Sequence, residues 1–311
     1  MLSLRRVIAW ILLGLIPLLA ACGTPLQKVS GLDVISARFC DETQTFDAKA
    51  QSAMLRLAAL IRSRVEASGQ PVAVISRSGV DLTRLGITFT HSGVLMARGG
   101  EVPWAVRQLY YACDQGRPYL YDQGLAAFLF GADNPSGTRI SILMLPAQAS
   151  QALSSTALER QTIMSLLADT YTANAHPFST SYQNCNQWVI ELMATAWGSL
   201  AHGEDLRVRA QTWLQANDYS PRPVVLDSYF VKFAATLSPM IKLDDHPEAD
   251  QSGLSFQLSL PRSIETFVRQ QWPETQRLEL CQQAERVIVR TGWEALDDQC
   301  SPDANDERLI L

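Results

Sequence analysis

The chain has 311 residues, 47% of them hydrophobic, and a formal net charge of −5. That is enough apolar material for one large domain or two small ones, and we expect a single domain. No cluster of Lys and Arg appears downstream of the first few residues, which argues against nucleic acid and anionic lipid headgroups as partners.

The N-terminus reads as a secretory signal with a lipoprotein cleavage box. Arg5 and Arg6 precede an apolar run that is too short to span a bilayer as a transmembrane anchor, which is the alternative interpretation. The run ends in Leu19-Ala20-Ala21-Cys22, so we expect cleavage after residue 21 and a lipid on Cys22. Gly23 follows Cys22, where a signal for retention in the inner membrane usually has Asp. We therefore expect an anchor in the outer membrane, with the protein facing the periplasm. Residues 22–32 would be a tether, and 33–311 a single domain with a helical extension from about residue 200.

Five cysteines remain once Cys22 carries a lipid, and an odd number leaves one unpaired or joined to another chain. An oxidising compartment permits disulfides. Cys281 and Cys300 close a short loop, and Cys40 and Cys113 are each followed by Asp. We favour pairing Cys40 with Cys113 and Cys281 with Cys300, which leaves one free thiol, although five cysteines allow other connectivities.

The hydrophobic pattern predicts an α+β fold. A helical stripe covers Phe46 to Ser68, and β-branched and aromatic residues then predict several strands, the last two of this group joined at Gly99-Gly100. Four further helices are expected downstream, so a small antiparallel sheet would pack against helices. The predicted strands are Val72–Ser76, Ile87–Ala97, Val102–Tyr111 and Ile140–Leu145, and the later helices are Leu153–Tyr171, Cys185–Trp197, Asp205–Ala216 and Asp227–Met240.

The segment around Cys185 is the most informative for chemistry. Asn184 is a good N-cap, and Gln187 can complete a capping box, which would place Cys185 at the first position of a helix. The positive end of the helix dipole favours the thiolate, which is the nucleophilic form. The alternative is an inert buried cysteine, a common fate of this residue.

A nucleophilic cysteine needs a base, and the chain has four histidines. His91 lies on a predicted strand, which would fix the ring, whereas His176 precedes Pro177 in an irregular stretch and is the competing candidate. His91 could instead be a structural histidine bonded to the backbone. If the two side chains form a catalytic pair, the Cys185 sulfur and the His91 ring should lie within about 4 Å.

Two segments together resemble a known superfamily. His91-Ser92-Gly93-Val94 followed by Asn184-Cys185-Asn186-Gln187-Trp188 resembles the circularly permuted, lecithin:retinol acyltransferase-like branch of the papain-like NlpC-type superfamily, in which histidine precedes cysteine. The mature chain also resembles domain of unknown function family 2145, with Arg77-Ser78-Gly79 as a further landmark.

The resemblance implies roles for individual residues. Cys185 would be the nucleophile and His91 its base, with Gln108 orienting the imidazole, although Gln108 could equally be an ordinary polar strand residue. The Cys185 N–H would help form an oxyanion hole, with Tyr182 or Gln183 as a second donor. Arg77 would bind a substrate carboxylate or pair with Asp81, and we favour the pairing.

Three functions are consistent with these features. The first is a cysteine hydrolase of amide or ester bonds, with peptidoglycan peptides as the default substrate and lipids as the other class within reach. The second is an acyltransferase of the same fold, and the third a non-catalytic envelope binding lipoprotein. We expect no cofactor, since neither metal-ligand spacing nor a phosphate-binding loop is visible.

Overall fold

The computed structural model describes residues 47–97, 104–112, 115–131 and 137–311. Within them an eight-stranded antiparallel sheet runs in the order β10-β9-β8-β5-β1-β2-β3-β4, and β6 pairs with β7 in a separate ribbon. The strands are β1 Val72–Arg77, β2 His91–Ala97, β3 Trp104–Ala112, β4 Arg117–Gly124, β5 Arg139–Met144, β6 Arg222–Val225, β7 Ser255–Leu258, β8 Gln276–Gln283, β9 Arg286–Thr291 and β10 Glu307–Ile310. The helices are α1 Ala48–Ala67, α2 Leu125–Phe130, α3 Ala147–Leu158, α4 Arg160–Ser165, α5 Cys185–Trp197, α6 Leu206–Ala216, α7 Tyr229–Thr236, α8 Glu248–Ser252 and α9 Pro261–Gln271.

Helices cover both faces of the sheet. One hydrophobic cluster joins α3, α5, α6 and α9 to alternate strand residues such as Val94 and Met96. The other joins α1 and α2 to the intervening residues, including Leu95. This alternation follows from the two-residue period of strand side chains. Because both faces are covered, β1 is buried along its whole length and reads as a nearly continuous apolar run.

The first half of the chain follows the sequence predictions closely. α1 occupies most of the predicted stripe and is capped by Asp47, whose carboxylate accepts from the Ala50 N–H at 2.7 Å. The predicted strand at 87–97 begins four residues late, at His91, because Ile87 makes only an isolated bridge with Leu82. The α+β class is confirmed. The Gly99-Gly100 turn, the signal and the tether lie outside the described residues.

The expected helical extension from residue 200 is only part of the C-terminal region. α6 to α9 are present, but β8, β9 and β10 extend the main sheet, which is therefore larger than predicted. Buried charges hid the strand pattern of β8, where Leu278 and Leu280 alternate with Arg277 and Glu279. Those charges are paired: the Arg277 Nη2 to Glu279 Oε2 distance is 2.8 Å, and Glu279 also pairs with Arg139.

Two predicted helices are shorter than expected. The helix predicted from Leu153 to Tyr171 is divided at Glu159, whose extended backbone places its carboxylate as the N-cap of α4. The helix predicted from Asp227 to Met240 is α7 alone. It ends before Ser238, since the following Pro239 disfavours helical backbone at the preceding residue. None of the helices in the described residues is both long and apolar enough to cross a bilayer.

Candidate functional site

Cys185 is the first residue of α5, as predicted. Asn184 caps the helix, its side-chain oxygen accepting from the Gln187 N–H at 2.8 Å. The reciprocal half of the predicted capping box is not formed. The Gln187 amide instead donates to the carbonyl oxygens of His176 and Ser179, at 3.2 and 3.1 Å, and so holds the loop that leads into the helix. The sequence located the helix start but assigned Gln187 to the wrong partner.

The thiol lies against the main chain at the start of β2. Its Sγ is 4.0 Å from the Thr90 carbonyl oxygen, which also accepts a 3.0 Å hydrogen bond from the Asn186 amide. The Ser92 N–H is directed at the same sulfur. β2 pairs with β3 only from Val94 onward, which leaves the preceding backbone groups available to α5. The helix start therefore meets the residues on either side of His91.

His91 is buried and hydrogen-bonded to Gln108, the residue proposed to orient it. The Gln108 amide donates to Gln123 Oε1 at 2.6 Å, so its carbonyl oxygen faces the ring and accepts from Nε2–H. This tautomer leaves Nδ1 as the acceptor nitrogen. The ring also contacts Tyr110 and Phe128, whose centroids lie at 5.5 and 5.9 Å.

The imidazole and the thiol are not hydrogen-bonded to each other within the described residues. His91 lies on the α2 side of β2 with Phe128, whereas α5 packs on the other face with Val94. Cys185 contacts the edge of the β2 backbone between these two faces. The expected approach of sulfur and ring to about 4 Å stays a prediction.

Burial makes both groups neutral. Burial raises the pKa of the Cys185 thiol to about 11. Four groups oppose this rise by favouring thiolate: the Ser92 N–H, the positive charge of Arg77, and the N–H groups of Asn186 and Cys185. Burial, followed by the charge of Arg77, lowers the pKa of His91 to about 3. The hydrogen bond to Gln108 acts in the opposite direction, because it stabilises the protonated ring. At neutral pH the enclosed site holds a thiol and an imidazole.

Arg77 is the charged residue common to both groups. Its guanidinium donates to the Gly131 carbonyl and lies 5.3 Å from the centre of the Phe128 ring. The predicted ion pair between Arg77 and Asp81, both of which the structure describes, is not formed. The Asp81 carboxylate instead accepts hydrogen bonds from the Thr83 N–H and hydroxyl, at 3.1 and 2.6 Å. A turn at residues 81–83 captures the Asp locally, as short acidic side chains often do.

The two candidates for a second oxyanion donor have other partners. The Tyr182 hydroxyl donates to Asp244 at 2.8 Å, and this hydrogen bond raises the pKa of the tyrosine. The Gln183 amide donates to the Leu166 carbonyl at 2.8 Å and to Glu191 Oε2 at 2.6 Å, which uses both of its N–H groups. The Cys185 and Ser92 N–H groups, which face the sulfur, are the donors nearest to the chemistry.

A buried ion pair behind the loop escaped the sequence reasoning. Glu191 is fully buried and pairs with Arg207 at 2.9 Å, while Gln211 donates to its other oxygen at 2.7 Å. Arg207 also donates to the carbonyl oxygens of Thr180 and Tyr182, at 2.8 and 3.0 Å. The signal was present, since Glu191 is the one charged residue in the helix that begins at Cys185. The pair fixes the approach to the cysteine.

The competing histidine, His176, lies in that same loop. The centre of its ring is 5.4 Å from that of His246, and the backbone N–H of His176 donates to Asp245 Oδ2 at 2.8 Å. Burial, with the nearby charge of His246, lowers the pKa of His176. His246 is buried as well, and its Nε2 lies 2.7 Å from the Asn174 carbonyl oxygen. These contacts tie the loop to the segment after α7.

The cysteine predictions are met where they can be examined. Cys281 and Cys300 form a disulfide with a Cα–Cα distance of 6.1 Å, and Cys185 is a free, buried thiol. Cys40 and Cys113 lie outside the described residues, as does Cys22.

The fold and site define an α+β protein in which a buried cysteine at a helix start meets the strand that carries His91, whose ring is hydrogen-bonded to Gln108 on the neighbouring strand. The sequence matches the family described as "Uncharacterized protein conserved in bacteria (DUF2145)" over residues 64–268, well over half of the chain. The chain belongs to that family. No curated protein and no solved structure matches it. The family region contains Arg77, His91, Gln108 and Cys185, and ends before β8.

Proposed function

We propose that this chain is a lipid-anchored protein of the cell envelope, facing the periplasm from the outer membrane, that hydrolyses amide or ester bonds through Cys185. The observation that carries the proposal is the meeting of α5 with the start of β2, where a capped helix start brings the thiol to the backbone that flanks His91. The fold would be a permuted papain-like one, and peptidoglycan peptides are the proposed substrate.

The chemistry assigns one step to each group. Nδ1 of His91 takes the thiol proton, and the sulfur bonds to the substrate carbonyl carbon, whose oxygen becomes an oxyanion beside the Cys185 and Ser92 N–H groups. The carbon–nitrogen or carbon–oxygen bond then breaks, and the leaving group takes the proton back from the imidazolium. Water then attacks the acyl carbon while its proton passes to His91, the carbon–sulfur bond breaks, and the imidazolium returns the proton to the Cys185 sulfur. A different acceptor in place of water would make the protein an acyltransferase.

The Gln108 hydrogen bond supports the role of His91. It fixes the tautomer that presents an unprotonated Nδ1, and a neutral ring can accept a proton. The role requires the site to open, because a thiol pKa of about 11 leaves about one thiolate in ten thousand at neutral pH. Contact with water removes the burial that raises this pKa, and every other influence on the sulfur then favours thiolate.

Alkylation of the thiol as a function of pH tests the proposal. The mature protein is treated with iodoacetamide, and modification at Cys185 is followed by mass spectrometry. We expect a midpoint below the roughly 8.5 of a free thiol, shifted upward by His91→Ala and only weakly by Gln108→Ala, since Gln108 acts through the ring. His202→Ala, which changes an exposed histidine, is the matched control and should leave the midpoint unchanged.

The second candidate function is a non-catalytic binding module that keeps the fold. The enclosed, neutral Cys185 and His91 favour it, because a structural core has no need of a thiolate. A midpoint near 11 that is insensitive to His91→Ala would exclude the hydrolase and leave this candidate.

Lipidation is tested separately. Metabolic labelling with a fatty-acid analogue should mark the wild-type protein, and Cys22→Ser should abolish the label. Equal labelling of both forms would contradict the anchor without bearing on Cys185.

A further inference from the structure

The helix α7 is amphipathic in the opposite sense to a normal surface helix. Tyr229, Phe230, Phe233 and Leu237 are exposed to 63%, 78%, 62% and 66%, and no residue of α7 is buried. At 100° per residue these four positions fall on one side of the helix. A stripe of this kind normally faces the core of a protein, whereas here it faces outward.

The polar side of α7 attaches it to the protein. The Lys232 ammonium donates to the carbonyl oxygens of Gln251 and Gly253, the latter at 2.8 Å, and lies 5.3 Å from the centre of the Phe256 ring. Tyr229 lies at the edge of the stripe nearest to the protein, since its hydroxyl donates to the Ser252 carbonyl at 3.4 Å while most of its ring stays exposed. The one cation of α7 is therefore turned inward and bonded, so the outward stripe carries no charge.

We propose that this stripe is a membrane-docking surface that lies in the plane of a lipid bilayer. A helix of eight residues is about 12 Å long, far too short to span a bilayer, but aromatic and aliphatic side chains on one side are typical of helices that lie at its interface. An exposed apolar patch on a soluble protein marks a contact site.

The choice of a bilayer as the occupant rests on the proposed function, in which a lipid on Cys22 holds the domain close to a membrane surface. Cys22 and Asp47, where the described structure starts, are 25 positions apart, and an extended chain of that length reaches roughly 80 Å. The anchor alone would therefore leave the orientation of the domain open. Docking through α7 would fix it, and because the stripe is uncharged and the chain acidic, the contact should depend on apolar burial rather than on anionic headgroups.

Vesicle binding by the unlipidated protein tests the proposal. The mature chain with Cys22→Ser is sedimented with phosphatidylcholine vesicles, with and without phosphatidylglycerol, at low and high salt. We expect binding in all four conditions. Burial of one phenyl ring changes the partition by about tenfold or more, so Phe230→Gln/Phe233→Gln should lower it by about a hundredfold. Leu55→Gln/Leu158→Gln, which replaces two exposed apolar residues on other helices, should bind as the parent does.

A second measurement guards against a folding artefact. Hydrogen exchange of peptides covering residues 226–240 in the unmutated protein should slow when vesicles are added. Absence of vesicle binding, or binding that requires phosphatidylglycerol and disappears at high salt, would overturn the proposal. So would light scattering that shows a dimer converted to a monomer by the Phe230/Phe233 substitutions, since the stripe would then be an interface between two copies.

Discussion

Replacing Glu191 with Gln should be among the most destabilising conservative changes in the protein. The carboxylate is fully buried and accepts from Arg207 at 2.9 and 3.1 Å, from Gln183 at 2.6 Å and from Gln211 at 2.7 Å. Glu191→Gln removes the negative charge and leaves the buried guanidinium of Arg207 with carbonyl partners only. Breaking a buried pair in this way costs ~3 kcal/mol or more.

Thermal and urea unfolding, followed by circular dichroism, measure this loss. A loss of ~3 kcal/mol in a domain of this size corresponds to a fall in Tm of roughly 6 to 12 °C. The matched control is Glu307→Gln, which breaks the Arg64–Glu307 pair, whose side chains are 34% and 44% exposed. That change should lower the free energy of unfolding by less than about 1 kcal/mol.

A double-mutant cycle separates the pair from general damage to the core. Glu191→Gln/Arg207→Gln should lose less than the sum of the two single changes, because the second substitution removes the charge that the first leaves uncompensated. A loss below about 1 kcal/mol for Glu191→Gln, or strict additivity in the cycle, would refute this reasoning. It would mean that water or a rearranged loop replaces the carboxylate.

Three further predictions concern stability. His91 binds a proton in the unfolded chain but not in the folded one between pH 6.5 and about 3, so the free energy of unfolding should fall by about 1.4 kcal/mol per pH unit as the pH is lowered through this range. His91→Asn should flatten that slope in urea titrations, and an unchanged slope would mean that His91 is not held neutral. A Cβ at Gly93 would lie 2.5 Å from Val106 Cγ1 and 3.0 Å from the Arg107 carbonyl oxygen, so Gly93→Ala should cost ~2 kcal/mol, whereas Gly124→Ala, with no atom within 4 Å, should cost less than half of that. Cys281→Ser should cost ~3 kcal/mol under oxidising conditions and nothing extra under reducing ones, and unreduced peptide maps should show Cys185 unpaired.

Most of the first half of the fold could be predicted from local sequence patterns. α1 and the start of α5 were predictable because a helical stripe and a capping residue lie within a few positions of each other. The His91–Gln108 contact was predictable for a related reason, since two successive antiparallel strands bring such residues together once a turn joins them. Each of these inferences depends on spacing along the chain.

The rest of the fold could not be predicted, because it depends on buried polar groups whose partners are distant in sequence. β8 carries Arg277 and Glu279 at buried positions, and only their pairing with each other and with Arg139 and Glu265 makes that burial tolerable. Residues so distant in sequence give no local sign that they meet. Gln187 and Gln183 were misjudged similarly, because their amides bond a loop and a buried carboxylate rather than the nearest helix end or the candidate site.

The protonation state of Cys185 depends on burial, which favours the thiol, and on several nearby groups that favour the thiolate. Burial raises the pKa of the Cys185 thiol to about 11 and so favours the neutral form. The Ser92 N–H, the charge of Arg77 and the helix start all act in the opposite direction. Because they belong to rigid elements, they persist when water reaches the sulfur, whereas the cost of burial does not. Hydration would lower the pKa of any buried thiol toward that of a free one, and the groups around Cys185 would carry it further. A thiol pKa below the free value on hydration, rather than a return to it, therefore distinguishes a nucleophile in an enclosed site from an inert thiol.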